Sequence, residues 1–246
     1  PIEPIDADPG AAEKGKIIHN ILEEFIATYP KNLPDNTENK ILDIGRRHFN
    51  SHMSRPGVQA FWWPRFRRIA EWFAKNEYQR RELGWLPFGT EVEGKRVFTG
   101  LGTPFTLTAR ADRIDKDVDG NLSIIDYKTG QPPSDKQISA GLTPQLPLEA
   151  AIAKVGGYQE IDGEVVSDLT YMQLSGGREP GNERPIKLDV EQITEDAISG
   201  LARLIKKYEN PATPYLSQPR PMFQSHFETY DHLARLKEWR GQKKNR

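Results

Sequence analysis

The stretch Ile124-Ile125-Asp126-Tyr127-Lys128-Thr129-Gly130 sets a carboxylate and an ammonium inside an apolar run, and strand geometry reconciles the two. Side chains of a β-strand alternate between faces. Asp126 and Lys128 therefore share one side, while Ile125 and Tyr127 enter the opposite packing layer. A second aspartate lies fourteen residues earlier, in Ala109-Arg110-Ala111-Asp112-Arg113-Ile114-Asp115. If the two segments pair antiparallel, opposed residues have a constant sum, and Asp112 facing Asp126 requires an even one. A two-residue turn at Asp119-Gly120 opposes 118 to 121, an odd sum, and sends Asp112 to the wrong face. A shared site thus demands an odd-length loop or a bulge between Lys116 and Leu122. Carboxylate oxygens suit a hard cation such as Mg²⁺ with an attacking water, and lysine adds a compact charge beside it.

The rest of the chain is organised around this strand. Apolar residues at Ile17, Ile18, Ile21, Leu22, Phe25 and Ile26 repeat one helical face over Ala11 to Tyr29, closed by Pro30 and Pro34. A second helix is predicted over Glu38 to His52. A third, aromatic helix runs to about Leu83, with Pro64 starting or kinking it. From Trp85 the character turns to β, with strands at Pro87 to Glu93, Phe105 to Ile114 and Leu122 to Tyr127. Turns are expected at Glu93-Gly94-Lys95 and at Asp117 to Asn121. A helix over Leu142 to Val155, a strand over Val165 to Leu174 and a helix over Val190 to Tyr208 follow. Four prolines between Asn210 and Gln224 mark an extended connector, and a short helix is expected from Thr229 to Trp239. The expected fold class is α/β (α+β): a mixed central sheet flanked by helices. One domain is read, with a helical N-terminal part at 10–84, a core at 85–208 and an extended C-terminal segment at 209–246. The chain opens on Pro1, as a segment of a longer polypeptide would.

Composition removes several classes of function. Zero cysteines exclude disulfides, thiolate zinc sites, cysteine nucleophiles and a cysteine-ligated iron–sulfur cluster. A formal charge of −1 gives no global attraction to nucleic acid, so such contact must rest on local basic patches. No apolar window has the length of a membrane span and no signal peptide opens the chain, so a cytoplasmic location without membrane contact is expected.

Four motifs in order resemble a known superfamily. Gly15-x-x-x-His19, Asp112-Arg113-Ile114-Asp115, Asp126-Tyr127-Lys128-Thr129-Gly130 and Gln145-Leu146-Pro147-Leu148-Glu149-Ala150 are similar to the helical histidine motif and motifs II to IV of the RecB-like PD-(D/E)XK nucleases. The leader Asp6 to Ala12, the run Phe61-Trp62-Trp63-Pro64-Arg65-Phe66 and the closing Tyr230 to Arg235 resemble the C-terminal nuclease domains of bacterial AddB proteins. The resemblance implies a restriction-endonuclease-like core and a Mg²⁺-dependent exonuclease acting on DNA ends in double-strand-break repair and recombination. It also implies an AddA-type helicase–nuclease partner subunit, and Mn²⁺ as a substitute metal. Asp112, Asp126, His19 and the Tyr127 carbonyl would hold the ion. Lys128 would orient water or stabilise developing charge, and Gln145 would hydrogen-bond the site or substrate. Ala109 stands where the family usually has glycine, and Glu149 where it usually has an aromatic residue.

Plainer readings stand beside these. Glu91 is either an accessory acid or a solvated strand carboxylate. Arg65, Arg67 and Arg68, interleaved with Trp62, Trp63, Phe66 and Trp72, and preceded by Arg46, Arg47, His48 and Arg55, could contact DNA. Aromatics at helical spacing more commonly pack a core, which would leave those arginines as a solvated face. The alternative to an enzyme is a catalytically silent DNA-binding or scaffolding domain of the same fold.

Overall fold

A computed structural model describes residues 10–50, 56–99 and 102–216. The helix expected at Thr229 to Trp239, Arg55 and the motif at Tyr230 to Arg235 lie outside these residues. Three helices open the chain: α1 (Ala11–Thr28), α2 (Thr37–Phe49) and α3 (Trp63–Glu82). Pro64 sits in the first turn of α3, where its missing N–H costs nothing, and a π-helical turn over Val58–Trp62 leads into it. Then come β1 (Leu86–Phe98), β2 (Phe105–Lys116), β3 (Leu122–Lys128), α4 (Asp135–Ser139), α5 (Gln145–Ala153), β4 (Val166–Gln173), β5 (Asn182–Pro185) and α6 (Val190–Glu209). Sequence periodicity did not reveal α4 or β5, which are too short to display a period.

The strands form one mixed sheet in the order β1-β2-β3-β4-β5. Only β3 and β4 run parallel, because α4 and α5 form the crossover between them. Two apolar layers cover the two faces. On one side the six predicted apolar residues of α1, with Phe66, Ile69 and Phe73 of α3, pack against Ile125, Tyr127, Met172 and Leu174. On the other, Leu146, Ala150 and Ile152 of α5 pack with Ile114, Ile124, Leu169 and Tyr171. The period-2 reading of β3 therefore holds. Trp62, Trp63 and Trp72 are partly buried against the first layer.

Glu93-Gly94-Lys95 is not a turn. Strand β1 runs through it, with Gly94 opposite Ala109. A Cβ at Gly94 would lie 2.4 Å from the Tyr158 ring, so glycine is there to admit a neighbouring segment. The loop Asp117 to Asn121 has the odd length that the shared site requires. Asp117 Oδ1 accepts from the N–H groups of Asp119 and Asn121, and Gly120 takes φ +87°.

Beneath α3 the sheet carries a buried ionic cluster. Arg113, Asp115 and Glu77 are fully buried, with Arg113 bridging the two acids, and Arg80 joins Asp115 to Glu183. The acids hold Arg113 protonated, although burial opposes its charge.

Candidate metal centre

Pairs Arg113↔Ile125 and Lys116↔Leu122 both sum to 238, which places Asp112 opposite Asp126. Pairs Thr90↔Arg113 and Val92↔Ala111 sum to 203, which places Glu91 opposite Asp112. Three carboxylates thus lie on one rung of three adjacent strands. The rung is irregular. Glu91 takes φ +50°, a left-handed conformation that costs a non-glycine residue energy, and Ala111 and Ile114 both join the layer under α5, so β2 loses strict alternation at Asp112. Where the β2–β3 ladder ends, the Tyr127 N–H donates to Asp112 Oδ2 at 2.8 Å.

Helix α1 brings the histidine. Its buried stripe faces the sheet, and His19, one residue beyond Ile18, lies with Nδ1 3.5 Å from Asp112 Oδ2 and its ring edge-on to Tyr127 at 5.7 Å. Burial opposes a charge on His19. The hydrogen bond to Asp112 and the carboxylates of Asp112, Asp126 and Glu91 outweigh burial and raise its pKa. His19, Glu91 and Asp112 offer ligand atoms that all lie within 4.8 Å of one another.

Asp126 is tied to the other half of the site. Its Oδ1 accepts from Lys128 Nζ at 2.9 Å and from Gln145 Nε2 at 2.6 Å, while Gln145 Oε1 accepts from Lys128 Nζ at 3.2 Å. Asp126 Oδ2, 2.7 Å from Lys128 Nζ, is buried and lacks hydrogen-bond geometry to any partner. Gln145 begins α5, and its side chain meets both charged residues of β3. One helical turn on, Glu149 Oε1 accepts from Gln145 Nε2 at 3.1 Å, and its Oε2 is buried without a partner. Burial pushes the Glu149 carboxyl up to about 8, and Asp126 and Asp112 add to this. Burial first, and Asp112 second, also raise Asp126 and Glu91.

Buried, mutually repelling carboxylates with spare lone pairs are what a divalent cation would relieve, and an oxygen-rich set with one imidazole fits such an ion. Among the predicted residues, His19, Glu91 and Asp112 form the tight group, with Asp126, Lys128 and Gln145 against it. Of Tyr127, the N–H and ring are placed at the site. Glu149 was given no role from the sequence, although it stands in the motif IV segment at the usually aromatic position, one helical turn after Gln145. The arginines divide. Arg68 donates from Nε and Nη2 to the Gly176 carbonyl at 2.8 and 2.5 Å, a structural use. Arg46 pairs with Asp43, and Arg47 and His48 with Glu24. Arg65 and Arg67 are exposed.

The profile of the PD-(D/E)XK nuclease superfamily matches residues 2–219. The chain belongs to this superfamily. Its mixed sheet with helices on both faces is the restriction-endonuclease-like α/β fold. "Uncharacterized protein RC0550" of Rickettsia conorii is 28% identical over 156 residues, which cover 61% of this chain and 18% of that protein. A Rickettsia bellii protein is 24% identical over 214 residues, 82% of this chain and 26% of its own length. The chain thus spans less than a third of either relative. SSO0001, a crystal structure, aligns with 82% of this chain and 99% of its own at 15% identity, with a TM-score of 0.29. No helix of the described residues is long and apolar enough to cross a membrane.

Proposed function

We propose that this domain is a Mg²⁺-dependent deoxyribonuclease that hydrolyses phosphodiester bonds at DNA ends. The observation that carries the reading is Lys128 held against Asp126 by Gln145, beside the His19–Glu91–Asp112 group. His19, Glu91, Asp112 and Asp126 would hold the cation. Such an ion, when bound, lowers the pKa of a coordinated water and offsets charge on the phosphate. The chain's own residues supply the remainder. Lys128 faces the position where negative charge grows as the phosphorus–oxygen bond breaks. Gln145 fixes Lys128 and Asp126 relative to each other, so that neither must reorganise during the reaction. The resemblance to AddB domains supports a role in double-strand-break processing, with an AddA-type helicase subunit delivering the strand in the cytoplasm.

A labelled-oligonucleotide and plasmid assay with Mg²⁺, Mn²⁺ or EDTA, run beside Asp126→Ala, tests the reading. Cleavage is expected with either metal and absent in EDTA or in the variant. Cleavage that persists in EDTA would overturn it.

A further inference from the structure

Two cations beside the site remain without a role in the scheme above. Lys14 lies in the first turn of α1, five residues before His19, or roughly 7.5 Å along the helix axis. It is partly buried, and burial and the charge of Arg65 together lower its pKa, so the two cations lie close enough to repel each other. Among the described residues, neither has a carboxylate partner. Three basic residues of α2 and α3 differ: Arg46 and Arg47 are neutralised by Asp43 and Glu24, and Lys75 by Glu71.

The fold holds this pair at the reactive edge of the sheet. Gly15, next to Lys14, is so close to the loop after Lys128 that a Cβ there would come within 3.3 Å of Thr129 Oγ1. The Arg65 backbone lies against the other side, because a Cβ on Gly176 would lie 2.6 Å from the Arg65 carbonyl oxygen. Gly176 follows β4, whose end is joined to β3 by Leu174 N–H donating to the Lys128 carbonyl at 2.7 Å. The backbones that carry Lys14 and Arg65 therefore border the carboxyl ends of the two parallel strands, the end from which Lys128 projects.

We propose that Lys14 and Arg65 form a phosphate-binding subsite for a backbone phosphate of the DNA strand adjacent to the one being cut. The assignment rests on the nuclease reading for the identity of its ligand. An anion between the two cations relieves their repulsion. Arg65 offers a planar fork for two phosphate oxygens and Lys14 a point charge. With His19 on the same helix, the subsite sets the register of the strand relative to the carboxylates. It is a binding element, and it moves no proton.

The test uses the full chain and a fluorescein-labelled single-stranded oligonucleotide in EDTA, with anisotropy measured over a salt series. Lys14→Gln, Arg65→Gln, the double variant and the exposed control Lys31→Gln are compared. Expected are about ten-fold or greater weakening in the double variant and a fall of roughly 0.7 in the salt slope, for one phosphate no longer neutralised on single-stranded DNA. The control stays at wild-type affinity, and Mn²⁺ binding by calorimetry is unchanged in all variants. In the Mg²⁺ assay, the double variant raises KM and leaves kcat within about two-fold. Unchanged affinity and slope in the double variant, or equal weakening by Lys31→Gln, would overturn the subsite. A wild-type chain that neither cuts DNA nor binds Mn²⁺ counts against the nuclease reading instead, and the anisotropy series still judges the subsite.

Discussion

The backbone N–H of Tyr127 donates to Asp112 Oδ2 across 2.8 Å. Asp112 therefore has two tasks: it is a candidate ligand and it closes the end of the β2–β3 ladder. Asp112→Asn keeps an acceptor oxygen, whereas Asp112→Ala removes it. Both variants are expected to lose Mn²⁺ binding by calorimetry. The alanine variant should melt below the asparagine one by a few degrees, from about 1–2 kcal/mol at roughly 2–4 °C per kcal/mol for a chain of this size. Equal melting temperatures would deny the hydrogen bond a structural share.

Lys128 touches Asp126 and Gln145 and bonds to none of the tight His19–Glu91–Asp112 group. Its replacement by methionine should leave Mn²⁺ affinity nearly intact while slowing single-turnover cleavage by roughly 10²- to 10³-fold, the usual effect of losing one charge-stabilising donor. A loss confined to Mn²⁺ affinity would reassign Lys128 to metal binding.

Glu149 gives the metal-free protein a pH dependence. Its folded carboxyl sits at about 8, above its ordinary value of 4.5. Across that window the folded chain holds a proton that the unfolded chain has released, so stability falls as pH rises, by up to about 1.4 kcal/mol per unit. In EDTA, Glu149→Gln should flatten the curve of melting temperature against pH between 5 and 8.5, and should melt above wild type at the alkaline end. Parallel curves for the two proteins would refute this.

Glu91 holds its carboxylate in place through a backbone at φ +50°. Glu91→Gly should therefore be more stable than Glu91→Ala by about 1 kcal/mol, since only glycine adopts that conformation freely. Urea unfolding gives the difference. Both changes should weaken Mn²⁺ binding, which separates the strain from the ligand.

Arg113 satisfies two fully buried acids, Glu77 and Asp115. Arg113→Met removes the cation that the two acids share, leaving Asp115 to Arg80 and Glu77 to Arg81, and should cost about 3 kcal/mol. Adding Glu77→Gln and Asp115→Asn should recover part of that loss. If the triple variant is no more stable than the single one in urea, the cost is one of packing and not of charge.

The sequence by itself determined the parts that local periodicity and chain connectivity control. The apolar stripe of α1 reads directly as Ile17 to Ile26, and all six of those residues are buried. The alternation of β3 placed Asp126 and Lys128 together, and parity arithmetic required an odd-length loop or a bulge if Asp112 was to share their site; the five-residue loop Asp117 to Asn121 brings Asp112 opposite Asp126. Other features depend on segments far apart in the chain. Gly94 reads as a turn until Tyr158 packs on it, because the reason for a missing Cβ lies some sixty residues away. Likewise, the burial of Glu149, the left-handed backbone that aims Glu91, and the split of Asp112-Arg113-Ile114-Asp115 into a candidate ligand and a buried ion pair with Glu77 arise only once α3 and α5 close on the sheet. Burial and charge–charge distance are properties of the packed chain, so they decided which acids gather into the candidate site and which support the core.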